Sequence, residues 1–75
     1  MMKLSKISEE MWFFMYLLES YAYVKGRLTG DVLREWDSHG LIDKIYDGYF
    51  QYHQERLENA YADIDSLVAT GKHAW

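Results

Sequence analysis

Apolar side chains recur at intervals of three and four residues along most of this chain, which is the period of a helix face and not of a strand. Phe14, Leu17, Leu18, Tyr21 and Val24 form one set, and Val32, Leu33 and Trp36 form a second. Ile42, Ile45, Tyr46, Tyr49, Phe50 and His53 open a third, whose register continues through Leu57, Ala60, Tyr61, Ile64, Leu67 and Val68. With no proline to break these runs and five glycines to punctuate them, the pattern predicts an all-α domain, a small bundle of three or four helices with an ordered core over about 8–69.

Start and stop signals place the helices. Ser8 offers a capping oxygen, Glu9 and Glu10 sit where a helix dipole is positive, and Lys25 followed by Gly26 marks the end. Thr29 is the next capping candidate, and Ser38-His39-Gly40 ends the second helix. Periodicity alone allows residues 42–69 to be one helix or two. A break around Gln54 to Arg56 is expected, because so small a domain would leave much of a helix that long unsupported. The tail from Gly71 to Trp75 is expected to fray unless the tryptophan docks.

A chain of 75 residues makes one domain whose core only narrowly offsets chain entropy. The absence of cysteine excludes disulfides and thiolate metal sites, leaving dense packing or oligomerisation as sources of support. The unbroken apolar run Met11 to Leu18, "MWFFMYLL", is too short to cross a bilayer, which takes about 20 residues. Lys3, Lys6 and the Ser20-Tyr21-Ala22 triplet imitate a secretory signal, but Glu9 and Glu10 directly before the run and the bulky rings within it argue against one. No membrane association and a cytoplasmic location are therefore expected.

Charge is unevenly spread. Residues 1–28 carry four cations against three anions, whereas residues 29–75 carry four against nine. Such a surface repels phosphate backbones and attracts basic partners. Residues 29–50 do have the outline of a helix-turn-helix, yet the second helix offers Asp43, Lys44 and Asp47 and no arginine to read a base. No nucleic acid partner is expected, and a DNA-binding regulator ranks third among the functional readings.

Catalytic signatures are missing too. "HQERL" at His53 lacks the second histidine of a zinc-protease helix, and no phosphate-cradling glycine loop is present. Asp43 and Asp47 are one turn apart with nothing to join them, and Asp63 and Asp65 point to different sides of a helix. A non-enzyme without cofactor or metal is expected.

The aromatic residues are more informative. Three tryptophans, seven tyrosines and three phenylalanines suit a packed monomer core and a partner interface alike. Tyr46, Tyr49, Phe50, His53 and Tyr61 share the apolar stripe, whereas Tyr52 lies off it. Tyrosine and tryptophan supply contact area with a polar handle, the chemistry that interfaces favour. Trp12, Tyr16, Trp36, Tyr49, Tyr52 and Tyr61 are accordingly the expected partner contacts.

The segments "FFMYLLESYA" and "LTGDVLREWDSHGLIDKIYDGYFQYHQERLENAYADIDSLV" together resemble a bacterial family of short helical proteins of uncharacterised function, from about Met11 to Val68. The marks are the "LTG" opening at Leu28, "GLIDKIYDGY", His53 and the "ADIDSL" ending with Asp63 and Ile64. Members of that family are often encoded beside ADP-ribosyltransferase-like proteins, an arrangement similar to toxin and antitoxin operons. The resemblance implies a partner that binds and restrains a toxin-like enzyme. On this reading Asp43, Asp47, Asp63 and Asp65 cover a basic nucleotide cleft. The alternative is a self-associating structural domain, a homo-oligomer without a toxin partner.

Overall fold

The computed structural model describes residues 8–75. Five helical segments follow one another: α1 Glu9–Lys25, α2 Thr29–Ser38, α3 Ile42–Asp47, α4 Tyr49–Tyr52 and α5 Leu57–Thr70. The architecture is the expected small all-α bundle, with no strand among the described residues.

α1 begins where the sequence says it should. The Ser8 hydroxyl accepts the Met11 N–H at 3.1 Å, and Glu9 and Glu10 occupy the first turn. It ends at Gly26, whose φ of 68° lies in the left-handed region that side chains resist. There the Arg27 N–H donates to the Ala22 carbonyl and the Gly26 N–H to that of Tyr23, the paired bonds that satisfy a helix's last acceptors. Gly40 repeats the device after α2 with φ 69°. Its successor Leu41 donates to the Trp36 carbonyl at 2.8 Å, and both side chains enter the core.

Thr29 does not cap α2. It is the first helical residue, preceded by Leu28 in extended conformation with no side-chain cap. The tight turn at Gly26 leaves only Arg27 and Leu28 to link the helices, so α2 starts one residue earlier than the capping pattern predicts.

The break after α4 falls where expected, with His53 closing α4 and Arg56 extended ahead of α5. A second interruption, at Gly48 between α3 and α4, had no counterpart in the sequence reading. A Cβ on Gly48 would lie 2.6 Å from Cε2 of Tyr52. Glycine therefore lets the Tyr52 ring lie flat on the backbone one turn earlier, and the ring is buried.

The core joins Leu17, Leu18, Tyr21 and Ala22 of α1 to Val32 and Trp36 of α2, Leu41, Ile45, Tyr52, and Ala60, Ile64 and Leu67 of α5. Trp36 is fully enclosed, with Tyr21 and Phe14 centroids at 5.7 and 5.9 Å. Its indole N–H is buried without a hydrogen-bond acceptor, so the ring contributes by area and shape alone. α1 packs on α2, α3 and α4 and reaches α5 through Tyr21, whose hydroxyl donates to Asp65 at 2.7 Å.

The tail does not fray as expected. Gly71, at φ 79°, turns the chain back, and its carbonyl accepts Lys44 Nζ at 2.7 Å. Ser66 donates to the Lys72 carbonyl at 2.8 Å. Beyond it the Ala74 N–H and His73 Nδ1 both reach the Asp63 carboxylate, and Trp75 stacks on His73 at 4.3 Å while meeting Tyr52 edge-on at 5.3 Å.

Candidate functional site

The ten residues expected to contact a partner do not come together on one surface. Trp36 and Tyr52 are interior, leaving 0% and 2% of their surface exposed. Neither is available to a partner in this fold, which corrects the expectation from aromatic character alone. Tyr52 was missed as core because its register runs through a glycine: Ile45, Gly48 and Tyr52 lie at i, i+3 and i+7, and the middle position carries no side chain to reveal the stripe. Phe50 and His53, placed on the stripe by periodicity, are instead exposed; the buried register of α3 passes through Gly48 to Tyr52 and leaves them off it.

Asp63 is the second correction. It was expected on an acidic surface, yet it is the one buried charged residue of the described chain. Its carboxylate accepts the Tyr52 hydroxyl, the Ala74 N–H and His73 Nδ1, the last at 2.7 Å. A buried carboxylate is tolerable when donors surround it in this way. Burial first, and then the bond to Asp63, push the Tyr52 phenol well above its ordinary value. The signal was present in the sequence: Asp63 stands at i+3 from Ala60 and four before Leu67, on the core stripe itself.

Asp65 does face outward, as its two-residue offset from Asp63 requires, but it is engaged. Lys25 Nζ donates to it at 2.9 Å. Burial opposes its ionisation, yet the Tyr21 hydroxyl and the Lys25 ammonium together hold it below the usual aspartate range. Asp43 and Asp47 remain exposed on α3. The four aspartates thus do not form one acidic face.

Trp12, Tyr16 and Tyr49 do converge. They line a shallow groove of about 520 Å³ between α1 and α4, together with Glu9, Phe13 and His53. Phe13 meets Tyr49 edge-on at 5.5 Å and 77°. His53 stacks on Tyr49 at 4.2 Å and 6°, held there as Nδ1 donates to the Tyr49 carbonyl at 2.7 Å. A carbonyl only accepts, so that nitrogen carries the proton. A second groove of about 460 Å³, which also includes Tyr49, is lined by Ser8, Glu10, Tyr46, Asp47 and Phe50. Burial, followed by the charges of Glu9 and Glu10, raises the Tyr49 phenol above its ordinary value. Tyr61, half-buried against Tyr21 at 6.0 Å, lies outside both grooves.

The aromatic face extends along α1. Trp12, Tyr16 and Tyr23 leave 62%, 53% and 86% of their surface exposed. They fall with Glu19 at spacings of four, three and four, on the side of the helix opposite Leu17, Leu18 and Tyr21. The sequence's over-wide apolar helix is therefore buried on one side and open on the other.

Among the described residues, no three histidine, aspartate or glutamate side chains converge to hold a metal ion. No helix among them is long and apolar enough to cross a membrane. Comparison with protein-family models, curated proteins and solved structures returned no match.

Proposed function

We propose that this chain is a non-catalytic protein-interaction module whose contact surface is the outward face of α1 joined to Tyr49. The observation that carries the reading is the exposure of Trp12, Tyr16 and Tyr23 on one side of one helix. Exposed aromatic area gathered on one side of a helix is the kind of surface that marks an interaction site. Tryptophan and tyrosine are also the residues that most often dominate binding energy at interfaces.

The family resemblance gives the partner its identity in this proposal: an ADP-ribosyltransferase-like protein encoded beside this chain, which the module binds and restrains as an antitoxin or accessory subunit would. The acidic cover drawn from four aspartates is withdrawn at Asp63, because a buried carboxylate with three donors offers no charge to a partner. Asp43 and Asp47 remain candidates for that role.

Light scattering of the purified chain, alone and mixed with the product of the adjacent gene, tests this. A heteromer that Trp12→Ala/Tyr16→Ala abolishes is the expected result. A mass of twice the chain, unchanged by the neighbour, replaces it with the self-associating reading. That second reading has its own support, since spacings of four, three and four are those of a two-helix seam.

A further inference from the structure

The chemistry of the two grooves defines what they accept. Rings supply most of their walls: Trp12, Phe13, Tyr16 and Tyr49 in one, Tyr46, Tyr49 and Phe50 in the other. Carboxylates supply the ionised groups, Glu9 in the first and Glu10 and Asp47 in the second. No lysine or arginine lines either groove among the described residues.

Four of the six described lysines and arginines are engaged elsewhere, and the other two, Arg56 and Lys72, line neither groove. Lys25 pairs with Asp65, Arg27 with Glu35 and Arg34 with Asp31, while Lys44 is tied to the Gly71 carbonyl. Glu9, Glu10 and Asp47 have no ion pair among the described residues. Glu9 makes only a long 3.5 Å contact with the Tyr49 hydroxyl.

Aromatic faces are electron-rich and attract cations, and the attraction strengthens where water is partly excluded. A carboxylate at the rim of such a face adds a direct partner for the same cation. An apolar residue would gain the ring contacts but leave the carboxylates unanswered, and an anion would be repelled by all three.

From this complementarity we infer that the two grooves that share Tyr49 are a docking site for arginine or lysine side chains of a protein partner, one cation seated in each groove. The inference rests on the interaction reading above and gives its partner a chemistry: a basic segment with cationic side chains close enough to reach two adjoining grooves. It also relocates the acidic recognition surface, from the aspartates of α5 to the first turn of α1 and the end of α3.

The test is a titration of the full chain with an acetylated, amidated peptide of alternating arginine and alanine, followed by amide chemical shifts and calorimetry, with the glutamate–alanine peptide as control. Shifts are expected at Glu9 to Tyr16 and Asp47 to His53 for the basic peptide only. Trp12→Ala/Tyr16→Ala should weaken binding about fivefold or more. Glu9→Gln/Asp47→Asn should weaken it at least as much. Asp37→Asn/Glu58→Gln, exposed carboxylates outside both grooves, should leave it within about twofold.

Equal weakening by both charge-neutralised pairs would mean diffuse attraction to an acidic protein and overturn the inference. So would an unchanged affinity after removal of the two rings. Binding seen only once Lys3→Ala/Lys6→Ala is introduced would assign the grooves to the chain's own amino-terminal lysines. Dimerisation through Trp12 without peptide binding would assign them to a second copy, and either result overturns the inference. If the neighbour-encoded protein binds the aromatic face but ignores Glu9→Gln/Asp47→Asn, the cation inference fails while the interaction reading stands. If that protein fails to bind and the basic peptide behaves as expected, the site stands and the choice of partner falls.

Discussion

Two regions of this protein are built from the same four kinds of side chain and end in opposite states. At one end Tyr52, His73, Trp75 and Asp63 form a network around a buried carboxylate with three donors. At the other, Tyr49, His53, Trp12 and Glu9 line an open groove in which the carboxylate makes one long contact. Both regions stack a histidine on an aromatic ring, at 4.3 and 4.2 Å. The difference lies in the carboxylate: the chain folds back to answer Asp63 internally, whereas no donor of the described residues answers Glu9 at close range. A satisfied polar cluster stabilises a fold, and an unanswered one beside exposed rings is available for recognition.

This contrast is open to direct attack. Asp63→Ala should be the most damaging change, costing about 3 kcal/mol because the buried Tyr52 hydroxyl and the folded-back tail lose their acceptor together. Urea unfolding would measure it, and a loss below about 1 kcal/mol would mean that the tail and Tyr52 do not depend on Asp63. Gly48→Ala comes next, at about 1–3 kcal/mol, since the added methyl meets the Tyr52 ring at 2.6 Å. If the clash is its cause, Gly48→Ala should cost less in a Tyr52→Leu background than in the native chain.

Alkaline titration sharpens the same contrast. The phenols of Tyr21 and Tyr52 are raised by burial first and then by the bonds to Asp65 and Asp63. Stability tied to a group raised in the folded state is complete below its unfolded value, about 10 for tyrosine, and falls as pH rises beyond it. Ultraviolet absorbance followed together with far-ultraviolet dichroism should therefore show Tyr21 and Tyr52 ionising only as the fold is lost. Tyr52→Phe should remove one of the two late tyrosines.

Acid tests a weaker link. Asp65 is depressed in the folded state, so its contribution is present above its unfolded value near 4 and is lost as pH falls through the lower folded one. The pair with Lys25 is substantially solvent-exposed, so Lys25→Met should cost no more than about 1 kcal/mol at neutral pH and less in acid once Asp65 is protonated. The smallest effects should come from the open groove: Trp12→Ala and Glu9→Gln should each change stability by no more than about 0.5 kcal/mol. Thermal unfolding checks this, and a larger loss would mean that the groove belongs to the folded core.

Much of the fold was legible in the sequence because helix signals are local. Ser8, Gly26 and Gly40 act through bonds to backbone within a few residues, and the break before Leu57 followed from size alone. The opening at Gly48 was less visible, because a glycine that admits a ring looks the same in sequence as a glycine that ends a helix. At the candidate site, Trp12, Tyr16 and Tyr49 were identified by residue type and do meet in space. Trp36 and Tyr52 were identified by the same criterion and are core, since aromatic character serves both roles and burial alone separates them.

By itself the sequence determined an all-helical chain, the ends of its first two helices to within a residue, an aromatic-rich composition and an acidic second half. Each of these depends on spacing or composition, which the chain carries before it folds. Only the tertiary structure decided which acids are surface charges and which rings are free. Asp63 meets the Tyr52 hydroxyl, eleven positions back, because the chain turns between α4 and α5, and the Ala74 N–H, eleven positions on, because it turns again at Gly71, and it is this closure that separates a structural carboxylate from one left for a partner.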